Sequence, residues 1–189
     1  MLKKLKRSNQ GFTIIEVLIV LAIAALILLI VFLAVPALQR NARNTSRKSD
    51  VAGILAGINE YVGNNQGATP TSCSGTSPII WGTAGTNTVA NTDMGYYKSA
   101  ACSPTASAST GTSGQVYLLT NPTAGTATYA TVNAAFSPTP PSSQDYVFVA
   151  MRSTCNAAGN ALQAGSTRSF AALYQIETGN NTYATVCSS

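Results

Sequence analysis

Gly11-Phe12-Thr13-Ile14-Ile15-Glu16 separates a short basic segment from a long apolar one. The apolar segment, residues 17–38, contains 22 consecutive residues without a charged or polar side chain. A helix of about 20 apolar residues spans the hydrocarbon core of a bilayer, which is ~30 Å thick. The sequence therefore predicts a transmembrane helix with Glu16 near its amino-terminal end.

The segment before the helix is basic, as in a targeting signal, because residues 1–11 contain Lys3, Lys4, Lys6 and Arg7. An ordinary secretory signal is cut after its apolar part, at a small residue. Here the suitable small residue is Gly11, which precedes the apolar part. Cleavage at Gly11 would leave the apolar helix on the mature protein.

This combination resembles the signature of type IV prepilins and pseudopilins: a basic leader ending in Gly, then Phe-Thr, two hydrophobic residues, Glu and a long apolar run. The resemblance implies cleavage between Gly11 and Phe12 by a prepilin peptidase, followed by N-methylation of Phe12. It also implies assembly, through an assembly platform, into a helical homopolymer, with minor pilins as further partners.

Glu16 needs a physical explanation, because a carboxylate at the bilayer centre costs about 3 kcal/mol, and less near the interface. Its spacing of four from Phe12 predicts that both residues share one helix face. We expect Glu16 of one subunit to pair with the Phe12 amine of a neighbour, which would neutralise both charges and set the axial register. The alternative is that Glu16 marks the membrane boundary and faces lipid headgroups.

The helix is expected to continue beyond the membrane segment, because Pro36 kinks a helix without necessarily ending it. Apolar residues recur three and four positions apart, which predicts an amphipathic helix over residues 39–63; they are Val51, Ile54, Leu55, Ile58, Tyr61 and Val62. Arg40, Arg43 and Arg47 fall on the same side. We therefore expect the globular domain to stop near residue 50, leaving these arginines for headgroups, neighbouring subunits or, as a further alternative, nucleic acid.

The remainder of the chain predicts β-structure. Residues 64–144 form a connector rich in Ser, Thr and Gly, with short strands predicted at residues 78–81, 115–119 and 128–132. Residues 145–189 contain three clearer strands joined by short links, which predicts an antiparallel sheet. The expected fold is α+β, with the long helix packed on this sheet in the lollipop shape of pilins. Its predicted parts are residues 1–11 (leader), 12–38, 39–63, 64–144 and 145–189.

All four cysteines lie in the carboxy-terminal part, which is typical of an exported, oxidised domain. Three pairings are open to four cysteines. Sequence order and the family resemblance favour Cys155 with Cys187 and Cys73 with Cys102. No close Cys pair of the kind that zinc sites use is present, so no metal site is expected. A calcium site at Asp93, Asp145 and Glu177 is a weaker alternative.

The charge does not indicate a nucleic-acid partner. The formal charge is +5, from 11 basic and 6 acidic side chains. Without the four leader cations, 7 basic and 6 acidic side chains remain, which leaves a charge of +1. The chain has no His, which excludes Ser-His-Asp and Cys-His nucleophiles, and no phosphate-binding loop. We therefore expect neither an enzyme nor a cofactor. Asn44-Thr45-Ser46 and Asn180-Asn181-Thr182 match the N-glycosylation pattern.

The predicted function is that of a structural subunit of a type IV pilus, acting in adhesion, motility or DNA uptake. A pseudopilin of a secretion or competence machine is the first alternative, and a monomeric membrane-anchored binding domain is the second. The predicted location is the cytoplasmic membrane for the precursor, in a single pass, and the cell surface for the assembled fibre.

Overall fold

The structure is a computed structural model that describes residues 11–75, 78–82, 88–91, 97, 99–101, 114–120, 132, 146–179 and 182–189. The chain divides into two units, Met1–Asn41 and Ala42–Ser189. One long helix and a set of strands and sheets make the fold α+β, as the sequence predicts.

The described residues form one helix followed by ten strands. They are α1 (Ile14–Asn64), β1 (Cys73–Ser74), β2 (Ile79–Trp81), β3 (Val89–Asn91), β4 (Ser99–Ala101), β5 (Gln115–Leu119), β6 (Val147–Met151), β7 (Ser153–Cys155), β8 (Leu162–Ala164), β9 (Phe170–Gly179) and β10 (Thr182–Ser188). Of the strand predicted over residues 128–132, only residue 132 is described.

The first unit consists, where described, of the apolar part of α1. Its large side chains are exposed, from Phe12 at 89% to Leu38 at 65%. Helix α1 is long and apolar enough to cross a membrane. Pro36 lies inside the helix and does not end it.

The second unit contains a five-stranded sheet with the strand order β10-β9-β6-β5-β4. β10 pairs with β9, and β9 with β6, in antiparallel fashion. β6, however, pairs with β5, and β5 with β4, in parallel. The expectation of a purely antiparallel sheet was therefore incomplete, because two strands from the predicted connector, β4 and β5, enter the sheet. Residues 116–119 of β5 are all buried, which suits a parallel strand covered on both faces.

One face of this sheet packs on the carboxy-terminal part of α1. Ile54 and Ile58 are fully buried and belong to the same core cluster as Val116 and Val149 of the sheet. Trp81 of the small β1-β2-β3 sheet lies in this cluster too and is also fully buried. The predicted amphipathic stripe thus forms the helix side of the main core.

The opposite face of the sheet is buried as well, which the sequence analysis did not predict. Tyr117, Tyr146 and Phe148 form an aromatic cluster there, with ring centroids 5.2 to 5.6 Å apart. Burial raises the pKa of Tyr146 to about 12, with a further contribution from Tyr117. Leu162 of the β7–β8 pair belongs to the same cluster, so this pair helps to cover the second face.

A disulfide between Cys155 of β7 and Cys187 of β10 joins the β7–β8 pair to the five-stranded sheet, with the sulfurs 2.05 Å apart. This is the carboxy-terminal pairing that sequence order and the family resemblance favoured. The Cys187 amide also donates a hydrogen bond to the Gly159 carbonyl at 2.8 Å, within the loop joining β7 to β8. Cys73 is disulfide-bonded too, but its predicted partner Cys102 lies outside the described residues.

Helix α1 ends in a Schellman-type cap. The Gly67 amide donates to the Val62 carbonyl at 2.8 Å, which is the six-to-one bond of that motif. The left-handed residue at its centre is Gln66, with φ of 56°, and Gly67 follows at 88°. The helix that the sequence predicts to residue 63 thus ends one residue later, at Asn64.

Where α1 meets β9, three helix residues converge on Glu177, and we call this set the Glu177 cluster. Arg43 donates from Nε to Oε1 at 2.9 Å and from Nη2 to Oε2 at 2.6 Å. Arg47, with a side chain only 1% exposed, places Nη2 2.9 Å from Oε1. The Asn44 amide donates to the Glu177 carbonyl at 2.7 Å and accepts from its amide at 2.8 Å.

The Glu177 cluster corrects the expected boundary of the globular domain. The domain was expected to stop near residue 50, but the second unit begins at Ala42 and contains the bonded residues Arg43, Asn44 and Arg47. The helical period had placed Arg43 and Arg47 on the sheet side. Their partner, 134 residues away from Arg43, was not apparent from that pattern.

The Glu177 cluster also includes residues of two further sequence predictions, the glycosylation pattern at Asn44 and the calcium site at Glu177. The Asn44 amide is engaged by the backbone of β9, so in the folded domain it is held by the protein and is a poor glycan acceptor. Glu177 forms ion pairs with Arg43 and Arg47, and its suggested calcium partners Asp93 and Asp145 lie outside the described residues. Asn180 and Asn181 of the second glycosylation pattern also lie outside them.

Glu177→Gln is expected to destabilise the folded protein by about 3–5 kcal/mol, because it leaves Arg47 buried beside a neutral amide. Arg43→Gln should cost about 1 kcal/mol or less, since the side chain of Arg43 is 46% exposed. Urea unfolding of the detergent-solubilised full-length chain measures both. Equal losses for the two variants would contradict this assignment.

The same carboxylate predicts a pH dependence of stability. The hydrogen bonds from Arg43 hold the pKa of Glu177 below its ordinary value of 4.5; burial opposes this lowering and Arg47 adds to it. Because the folded-state pKa is the lower one, the contribution is complete above pH 4.5 and disappears as the pH falls through the folded-state value. In acid titrations followed by urea unfolding, Glu177→Gln should flatten this part of the profile.

Candidate assembly site at the helix N-terminus

The amino-terminal end of α1 is closed by a capping box formed by Thr13 and Glu16. The helix begins at Ile14, which makes Thr13 its N-cap residue. Glu16 Oε2 accepts from the Thr13 amide at 2.8 Å and from the Thr13 hydroxyl at 2.7 Å. In return, the Glu16 amide donates to Thr13 Oγ1 at 3.3 Å. This is the reciprocal pattern of a Thr-x-x-Glu sequence.

Thr13 is the residue that the sequence analysis missed. The signal was present, because Ser or Thr followed three residues later by Glu marks a helix start. The sequence analysis used the four-residue spacing between Phe12 and Glu16 and not the three-residue spacing between Thr13 and Glu16. The structure also corrects the argument for Phe12, which precedes the helix and is therefore not placed by helical periodicity.

Phe12 nevertheless stays on the side of the chain that carries Glu16. Both residues line one open surface depression, and the rest of its lining is apolar: Val17, Val20 and Leu21. The Phe12 side chain is 89% exposed. The site is thus an apolar surface with one carboxylate beside the residue that would carry the amine after cleavage.

The chemistry of Glu16 is only partly satisfied by its own chain. Thr13 supplies hydrogen bonds but no positive charge, so the net charge of the carboxylate is not neutralised. Both bonds from Thr13 use Oε2, and a carboxylate has acceptor capacity on both oxygens. Oε1 is therefore suited to accept from a cationic donor while the capping box stays intact. Local capping lowers the need for such a partner without removing it.

Of the predicted site residues, Phe12 and Glu16 line this depression. Cys155 and Cys187 form their disulfide in the second unit. Gly11 is exposed and precedes the helix, whereas leader residues 1–10 lie outside the described part of the chain. Among the described residues, no group of three or more His, Cys, Asp or Glu side chains is arranged to hold a metal ion.

Thr13→Ala should destabilise the first turn of α1 by about 1 kcal/mol, because the hydroxyl partner of the Glu16 amide is lost. Hydrogen exchange at the Glu16 amide, measured by NMR in detergent micelles, should accelerate by about fivefold. Thr13→Ser keeps the hydroxyl and serves as the matched control. Similar exchange rates in the Ala and Ser variants would show that the capping box does not hold this turn.

Comparison with known families identifies this end of the chain. Residues 6–32 match the family described as the prokaryotic N-terminal methylation motif. The match covers the end of the leader, the capping box and much of the apolar run, and it leaves residues 33–189 unmatched. No curated protein and no solved structure matches the chain. The chain thus carries the type IV prepilin signature, which supports a pilin-like or pseudopilin protein.

Proposed function

We propose that this protein is a structural subunit of a type IV pilus, which polymerises through α1 into an extracellular fibre. In this proposal the leader is removed between Gly11 and Phe12, and the new amine of Phe12 is methylated. The role is structural rather than enzymatic. The fibre then serves adhesion, motility or DNA uptake.

One observation carries the proposal: a single carboxylate, Glu16, stands at the start of an apolar helix segment whose side chains are exposed. In the membrane, lipid covers these side chains. Outside the membrane they must be covered by protein, and the same segment of other copies offers a matching apolar surface. Packing of many copies would bury the segment on all sides, as a wholly apolar helix requires.

The proposed electrostatic contact follows from the same packing. Cleavage after Gly11 creates a positive amine on Phe12, next to the depression that Glu16 lines. An amine from a neighbouring copy would supply the charge that Thr13 does not. Because a charge pair in an apolar core tolerates few arrangements, this contact would set the axial register of the fibre.

Features of the second unit are consistent with an exported subunit. Its Cys155–Cys187 disulfide suits an oxidising compartment outside the cytoplasm, which the periplasm and the cell surface both provide. A pseudopilin with a carboxy-terminal calcium loop would use carboxylates there, whereas Glu177 is bonded to Arg43 and Arg47. A monomeric anchored domain would have no use for the Phe12 amine.

Mass spectrometry of filaments sheared from cells tests the proposal directly. We expect a subunit that begins at Phe12 and carries the mass of one added methyl group. A subunit that remains in the membrane fraction and keeps its first eleven residues would contradict the proposal and favour the monomeric anchored domain. A processed subunit confined to a short periplasmic fibre would favour the pseudopilin.

Glu16→Ala should leave membrane insertion intact, because the change makes the segment more apolar, but it should impair fibre assembly or register. The measurements are membrane fractionation and the yield of sheared filaments. Thr13→Ala is the matched control, since it breaks the capping box and keeps the carboxylate. Normal fibre yield with Glu16→Ala would count against the pairing with Phe12.

A further inference from the structure

Charges are scarce in this protein, at 9% of residues, and most of those described in the second unit have an assigned contact. Arg43, Arg47 and Glu177 bond one another. Asp50 is buried and accepts from the Tyr97 amide at 2.8 Å. The guanidinium of Arg168 lies against Gly67, where an added Cβ would meet its Nε at 2.7 Å.

Two charged residues of α1 differ from these. Lys48 and Glu60 are both exposed, and neither takes part in an ion pair among the described residues. Among the described acidic residues of the second unit, Glu60 is the exposed one. Asp50 is buried, and the side chain of Glu177 is only 13% exposed. In the second unit, α1 thus carries one exposed cation and one exposed anion that form no ion pair among the described residues.

The two residues are separated both along the helix and around it. They are 12 positions apart in the sequence, which gives a rise of about 18 Å at 1.5 Å per residue. At 3.6 residues per turn, the same 12 positions correspond to a rotation of about 120° about the helix axis. Lys48 and Glu60 are therefore too far apart to pair within one copy and point towards different neighbours.

We propose that Lys48 of one copy pairs with Glu60 of another copy in the assembled fibre. This inference rests on the proposed function and adds a second contact, outside the apolar segment, to the one proposed for Phe12 and Glu16. In the proposed fibre the contact is head-to-tail: Lys48 of one copy meets Glu60 of a second copy, while Glu60 of the first copy meets Lys48 of a third. Head-to-tail contacts of this kind form an open helical filament when the rotation between copies does not close a ring.

The surface between the two charges is compatible with close approach. Ser49, Ala52 and Ala56 are exposed there, and at 100° per residue they fall between Lys48 and Glu60 around the helix. Their short side chains leave room for a neighbouring chain. They do not select the partner; the opposite charges do, because complementary charges favour one arrangement and like charges penalise the others.

Charge reversal in the full-length protein, made in place of the wild type, tests the pairing. The yield of sheared filaments is measured relative to the processed subunit that begins at Phe12. Lys48→Glu and Glu60→Lys should each lower this yield by about fivefold or more, because each places like charges opposite one another. The double variant restores opposite charges and should return to within about twofold of wild type. Lys48→Arg keeps the charge and is the matched control.

The outcomes separate this inference from the proposed function. Filaments from the wild type together with unaffected single reversals would overturn the Lys48–Glu60 pairing alone. If Lys48 instead bound anionic headgroups, Lys48→Glu would lower the yield and the double variant would not recover, which also overturns the pairing. A wild type that forms no filaments would overturn the proposed function and this inference with it.

Discussion

The apolar surface of α1 is the constraint on which the rest of the structure depends. Over residues 17–38 no side chain offers a polar group, and the large side chains are exposed along the segment. At about 25 cal/mol for each Å² of apolar surface, leaving such a segment in water is costly. This apolar segment therefore needs a covering, which the proposed function supplies first with lipid and then, in the fibre, with other copies of the chain.

Along the rest of α1, the same helix serves a different environment. From Val51 to Tyr61 one side is buried against the sheet, while Lys48 and Glu60 remain at the surface. The Glu177 cluster marks where this change begins, since Arg43, Asn44 and Arg47 supply the first contacts to β9. Because charges are few, each of them has a large share in deciding which surfaces meet.

The sequence predicted what depends on local pattern. The helix, its amphipathic stripe at Ile54 and Ile58, and the strands Ile79–Trp81 and Gln115–Leu119 all follow from residue periodicity and composition. What it did not predict depends on distant partners: Glu177 lies far along the chain from Arg43, and β5 joins its sheet in parallel through a connector without a regular pattern. The capping box does not depend on a distant partner. The pattern Thr13-x-x-Glu16 is local and predicts a helix start, but the sequence analysis did not include it.

Recognising that capping box changes how Glu16 is understood. A carboxylate that only awaited a partner would be costly in the isolated precursor, yet Thr13 already gives it two hydrogen bonds. The subunit can then remain in the membrane before assembly with its carboxylate solvated by its own helix start. Because Thr13 carries no charge, an incoming amine would still be attracted to the charge of the carboxylate. In the proposed function, the helix start would thus stabilise the subunit before assembly and leave Glu16 Oε1 available for the contact in the fibre.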